Sequence, residues 1–268
     1  MKKILSLIFL SMALSAPLAA HEFWLWPVPF HTVPGSTARV GLRVGENFDG
    51  ELRPFSAARV GALRQFSAAG SRDLLPQVPP APGKDSLDVV LATPGTHLVA
   101  YDSQTNTITL EPDKFLAYLN EDGLSHIAAL RHAAGQDQQP GRERYQRFVK
   151  TLLLAGATSD ATFAVHTGQR LEIVPVTDPL AAHARDRFAF TVLFRGQPLA
   201  DATVRAWHHE GAKLIELHGK SDATGTVSFD LAHAGPWMIS VVHMVALKDV
   251  PNLDWESSWS SLTFALAP

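Results

Sequence analysis

Apolar and polar positions between residues 23 and 102 alternate in short runs. Ala38, Val40, Leu42 and Val44 interleave with Thr37, Arg39, Gly41 and Arg43, the period of two that gives a strand one buried face. Pro34-Gly35, the run Pro79-Pro80-Ala81-Pro82-Gly83 and Pro94-Gly95 punctuate these runs, as turn residues do between strands. The pattern predicts an antiparallel β-sandwich over residues 21–110.

The period then changes. Phe115, Tyr118 and Leu119 are spaced i, i+3, i+4, and Tyr145, Phe148, Val149, Leu152 and Leu153 continue that rule, which predicts two or three helices over residues 111–156. Arg142, Arg144, Arg147 and Lys150 fall on the remaining faces of the last helix and read as a solvated basic face. The stretch from Gly135 to Gly141 reads as the loop before it, with Gly156 as the stop.

Alternation returns from Leu171. Phe188, Phe190, Val192 and Phe194 form one row; Ala202 to His208 follows a turn; Ser221 to Phe229 reads as a turn and strand; and a long strand begins at Trp237. Six or seven short strands predict a second sandwich of immunoglobulin-like type over residues 157–268. The fold class expected is therefore mainly β, two sandwiches with a helical segment between them.

Residues 1–20 have the three parts of a secretory signal: Lys2 and Lys3, an apolar run from Ile4 to about Ala16, and Ala19-Ala20 before a cleavage site. The run is too short for the roughly 20 residues that span a bilayer, so the expected product is exported to the periplasm, with His21 as its first residue. Loss of Lys2 and Lys3 takes the formal charge from −3 to −5, 21 basic against 26 acidic residues. A mildly acidic chain without a Lys/Arg block argues against nucleic acid as a partner.

There is no cysteine, but there are 12 histidines, so a metal would be held by imidazole, carboxylate, Met, backbone or the terminal amine. A terminal His21 would offer amine and ring nitrogen together, a pair suited to copper or nickel. His243, in V-V-H-M-V, lies in an otherwise apolar row with Trp237, Ile239 and Val241, and reads as a third nitrogen ligand or as a satisfied core residue. Glu256, in D-W-E-S-S-W-S-S-L-T-F, stands at the polar end of a row that becomes core, as an oxygen ligand, a residue orienting His243, or a surface carboxylate. Asp102 is a weaker candidate of the same kind. His208 and His209 read as exposed turn residues, and His126 and His132 do not share a helix face. No G-x-S-x-G elbow, H-E-x-x-H pair, phosphate loop or thiol nucleophile is present, so no enzyme activity is expected.

The leader followed by H-E-F-W-L, the strand T-A-R-V-G-L-R-V-G-E-N-F, P-D-K-F-L-A-Y-L, P-G-R-E-R-Y, K-T-L-L-L-A-G and the V-V-H-M-V and D-W-E-S-S-W-S-S-L-T-F segments together resemble a family of bacterial periplasmic proteins that carry a domain of unknown function. Its members often bear the label of nickel or cobalt uptake transporter-associated proteins. The resemblance implies two β-rich domains and an accessory role in metal uptake, with a membrane transporter as partner; it brings no catalytic residues. The expected function is a divalent transition-metal (nickel, cobalt or copper) binding protein with His21, His243 and Glu256 as metal ligands. The alternative is a non-metal module that presents its tryptophans to a glycan or partner protein. Copper-dependent oxidation is a third reading, which needs a second histidine near His21.

Overall fold

The computed structural model describes residues 21–182, 184 and 186–267; the leader expected at 1–20 lies outside the described residues. The chain is mainly β, as the alternation predicts, and its strands form three sheets. The central sheet has ten strands. Its main order is Lys213–Lys220, Thr203–Glu210, Gly235–Ala246, Trp255–Leu266, Gly141–Ala155, Gly95–Ser103, Val60–Ser67 and Gly70–Asp73. The short strands His31–Thr32 and Asn106–Leu110 also pair with Gly141–Ala155. One sheet thus joins strands from before and after the 111–156 segment, through Gly141–Ala155, which runs parallel to Trp255–Leu266 and antiparallel to Gly95–Ser103.

Side chains alternate between the two faces of this sheet, and each face has its own cover. On the front, the amino-terminal sheet of Glu22–Val28, Thr37–Glu46, Asp49–Arg53 and Ser86–Val90 packs Leu25, Val40 and Val89 against Val99, Tyr101, Val149 and Leu153. Beside it, also in front, the helices Pro112–Glu121 and Ser125–Ala133 set Phe115, Tyr118, Leu119 and Ile127 on Met244, Trp255 and Trp259. On the back, Leu171–Pro175, Arg187–Phe194, Gln197–Pro198 and Thr226–Asp230 form the third sheet. Its Ile173, Phe188, Phe190 and Val192 meet Leu98, Phe148, Leu152, Ile239 and Phe264.

The first helix forms where the spacing predicts: Pro112 occupies its first turn and Phe115, Tyr118 and Leu119 are buried. The expected helix over 142–153 does not form. Gly141–Ala155 is a 15-residue strand, and its position explains the misreading. A central strand buried on both faces is a near-continuous apolar run, which periodicity alone cannot separate from a buried helix. Phe148 and Leu152 belong to the back core, Val149 and Leu153 to the front one.

The expected solvated basic face disappears with the helix. Arg142 makes a two-pronged contact with Asp254, Nε to Oδ2 at 2.8 Å and Nη2 to Oδ1 at 2.6 Å. Arg144 pairs with Glu256, Lys150 is fully buried against Glu172, and Arg147 is buried among rings. His208 is likewise corrected from an exposed turn residue to a buried one: it stands in a strand, with its ring stacked on Trp237 at 4.7 Å and Nδ1 2.8 Å from the Pro236 carbonyl.

A tight hairpin shapes the amino-terminal end of the front layer. Asn47 and Phe48 both adopt φ 57°, as a two-residue type I′ turn requires. Phe48 accepts this conformation in a buried aromatic group, its ring 5.4 Å from Trp24 and 5.7 Å from Trp26. Phe23 and Leu25 face the front core while Trp24 packs with Phe48, Trp207 and Met238, so both faces of the first strand are covered.

Candidate functional site

The first strand runs over the central sheet, with the Ser261 hydroxyl donating to the Phe23 carbonyl at 2.7 Å and the Thr263 hydroxyl to that of Leu25 at 2.8 Å. This fixes His21 and Glu22 at the open end of the front layer. There Glu22 meets the Asn47 turn, the end of the first helix and the hairpin 203–220, with His21 beside it against Glu46. The cleft between these elements, about 410 Å³, is lined by Glu22, Glu46, Glu121, Asp122 and Glu216, with Arg205 and His218. His21 Nε2 lies 2.9 Å from Glu46 Oε1, and His218 Nε2 lies 3.0 Å from Glu216 Oε1.

Three of these carboxyl groups lie close to one arginine. Arg205 Nη1 is 3.2 Å from Asp122 Oδ1 and 3.9 Å from Glu22 Oε1, and its Nε is 3.8 Å from Glu216. The other oxygen of Asp122, Oδ2, is buried with no hydrogen-bond partner among the described residues. Burial first, then the Asp122 charge, pushes the Glu22 carboxyl up to about 8 against the pull of Arg205. Burial likewise raises Asp122 to about 7 although Arg205 opposes it.

The three residues expected as one ligand set do not meet. His21 is in the front layer, whereas His243 shares the back face of the central sheet with Ile239 and Val241. The His243 ring lies 4.5 Å from Phe194 and 6.4 Å from His126. Burial, then the charges of His126 and Arg195, lowers it to about 4. Glu256 is also on the back face and is held by arginines: Arg144 Nε at 2.9 Å, Arg170 Nη1 at 2.6 Å and Arg195 at 3.6 Å. Burial raises its carboxyl, but Arg170 and Arg144 outweigh that and hold it below the usual range. A cation at Glu256 would have to displace guanidinium groups already there. Asp102 accepts from Gln169 Nε2 at 2.7 Å. No three His, Asp or Glu side chains among the described residues are already gathered as a ligand set.

The sequence singles out His21 but not the residues that line the cleft beside it; Glu22 carries only the signal of standing in the same alternating row as Trp24. Asp122, Arg205, Glu216 and His218 carry no motif; they come together only because a helix end and a distant hairpin converge on the first strand.

A family model described as a domain of unknown function, DUF4198, matches residues 18–245. The chain belongs to the DUF4198 family. The match takes in the amino-terminal cleft and His243, and stops before Glu256. No curated protein matches this DUF4198 chain. Among solved structures it is similar to a mutant of Salmonella alpha-2-macroglobulin at 10% identity and a TM-score of 0.21, covering 92% of this chain and 15% of that one. The methylamine-reacted form of the same Salmonella protein gives 12% identity and a TM-score of 0.21, with 94% and 17% covered. The DUF4198 chain thus spans under a fifth of the length of these structures. No helix among its described residues is long and apolar enough to cross a membrane.

Proposed function

We propose that this protein binds a divalent transition-metal cation in the amino-terminal cleft, with Glu22, Glu46 and Asp122 as oxygen ligands and His21 as a nitrogen ligand. The observation that carries the reading is the charge imbalance: Glu22, Asp122 and Glu216 crowd Arg205, Glu46 and Glu121 line the same cleft, and Asp122 Oδ2 is buried and unpartnered among the described residues. A buried ionised carboxylate without a partner is costly, and a cation between ionised groups would offset both their repulsion and their desolvation. Glu46 and Glu216 are partly exposed, so their side chains have room to turn inward. Mixed carboxylate and imidazole donors suit nickel, cobalt and copper, with selectivity set by geometry. Cleavage after Ala20 would add the His21 amine to the set.

Export to the periplasm and delivery of the ion to a membrane uptake system complete the proposed role, which involves no catalytic step. We read residues 157–268 as an immunoglobulin-like sandwich, a reading supported by its two antiparallel layers around one core.

The test is calorimetric titration of the processed protein, residues 21–268, with nickel, cobalt and copper. Stoichiometric binding is expected, weakened about tenfold or more by His21→Ala or Asp122→Asn and unchanged by His243→Ala on the opposite face. No binding of any of the three ions, or equal sensitivity to His243→Ala and His21→Ala, would overturn the reading.

A further inference from the structure

A second cavity opens on the front of the molecule, between the amino-terminal sheet and the strand Gly141–Ala155, with a volume of about 280 Å³. Phe23, Phe55 and Tyr145 supply apolar walls, and Arg53, Arg59 and Arg147 supply three cations. No carboxylate among the described residues lies within ion-pair distance of any of the three.

Arg147 is the anomaly. It is 9% exposed, and its Nε is buried without a hydrogen-bond partner. The other basic residues of its strand, Arg142, Arg144 and Lys150, each face a carboxylate. Glu143, on the same face four residues away, accepts through Oε1 from the Tyr118 hydroxyl at 3.3 Å and from the Ser257 hydroxyl, and stays beyond ion-pair distance of Arg147. The Arg147 guanidinium rests on aromatic rings, 4.8 Å from the centroid of Tyr145, 5.2 Å from Phe23 and 6.0 Å from Trp259. Ring faces hold a cation in place, and Glu143, the carboxylate whose charge it feels, is too distant to form an ion pair with it. A buried unpaired guanidinium is expensive unless an anion arrives to pair with it.

We propose that this cavity is a binding site for a small organic anion, a planar apolar body carrying one carboxylate or phosphate group. The anionic group would pair with Arg147, assisted by Arg59 and Arg53 at the mouth, and the ring would lie against Phe23, Phe55 and Tyr145. An apolar pocket with a few convergent polar groups is the usual build of a small-molecule site, and guanidinium is the side chain best matched to a two-oxygen anion. The site stands independently of the acidic cleft, which shares none of these three arginines.

Calorimetric or NMR titration of the processed protein with benzoate, phenyl phosphate, benzamide and inorganic phosphate tests it. Saturable binding of benzoate or phenyl phosphate is expected; which of the two binds more tightly identifies the head group. Benzamide lacks the charge and inorganic phosphate the ring, so each should bind at least tenfold more weakly. Arg147→Gln should weaken binding about tenfold or more, the scale of one lost charge-assisted contact. Arg59→Ala, at an exposed position, should weaken it severalfold without touching the core, and serves if Arg147→Gln fails to fold. Chelator should leave binding intact. Failure of both aromatic anions to bind, benzamide binding as well as benzoate, or full binding by Arg59→Ala together with a folded Arg147→Gln would overturn the proposal.

Discussion

Lys150 Nζ donates to Glu172 Oε1 across 2.9 Å in an interior where the lysine side chain is fully enclosed and the glutamate nearly so. The same glutamate accepts from the Thr167 amide at 2.7 Å, the Thr167 hydroxyl at 2.9 Å and the Gly168 amide at 3.2 Å. The pair ties the central strand to the back sheet, and its removal is asymmetric. Lys150→Met strands a buried carboxylate and should cost about 3–5 kcal/mol, whereas Lys150→Met with Glu172→Gln should recover a large part of that loss. Urea denaturation of the three proteins measures both; an undiminished loss in the double variant would contradict this account.

Stability should fall as pH rises through neutrality. Burial raises Glu22 to about 8 and both Asp122 and Glu143 to about 7. Raised carboxyls bind protons in the folded state that the unfolded chain has released. Their contribution is complete below the unfolded values, 4.5 for the glutamates and 3.8 for Asp122, and is lost as pH climbs towards 8. Glu22→Gln and Asp122→Asn should each flatten the decline in melting temperature between pH 5 and pH 8.

Metal binding in the amino-terminal cleft should share that window with opposite sign. An ion that displaces one proton gains about tenfold in apparent affinity per pH unit, up to the pH at which Glu22 and Asp122 have already lost theirs. Proton release on binding, measured in buffers of different ionisation enthalpy, should therefore be substantial at pH 6.5 and small at pH 9.

His243 predicts the acid limb. Burial lowers it to about 4, so the unfolded chain takes up a proton there from about pH 6.5 downwards while the folded chain does not. Stability is lost as pH falls across that interval. His243→Leu should reduce this slope while leaving the behaviour above pH 7 unchanged.

Gly141 marks where the first helix docks on the central strand. A Cβ at this position would lie 2.3 Å from Cγ of Phe115, whose ring is fully buried. Gly141→Ala should cost about 1–3 kcal/mol through overpacking, and Phe115→Leu in the same chain should relieve part of it. Thermal denaturation of the single and double variants measures the coupling.

The strand rows at Ala38 to Val44 and at Phe188 to Phe194 were legible in the sequence because each has one covered face, which imposes a period of two. The helix at Pro112–Glu121 was legible because Phe115, Tyr118 and Leu119 mark a single buried stripe. Tertiary structure decided what local pattern leaves undetermined. Gly141–Ala155 is a strand because both its faces are buried in one sheet, and there local spacing carries no distinction. The same enclosure turned Arg144 to Glu256 and Lys150 to Glu172, and it left Arg147 without a carboxylate in ion-pair distance among the described residues. His21 stood out in the sequence from its place in the chain. The surroundings of this strand end did not, because Glu46 meets His21, and Asp122 and Arg205 meet the neighbouring Glu22, only through the folding of distant segments, and long-range proximity leaves no periodic trace.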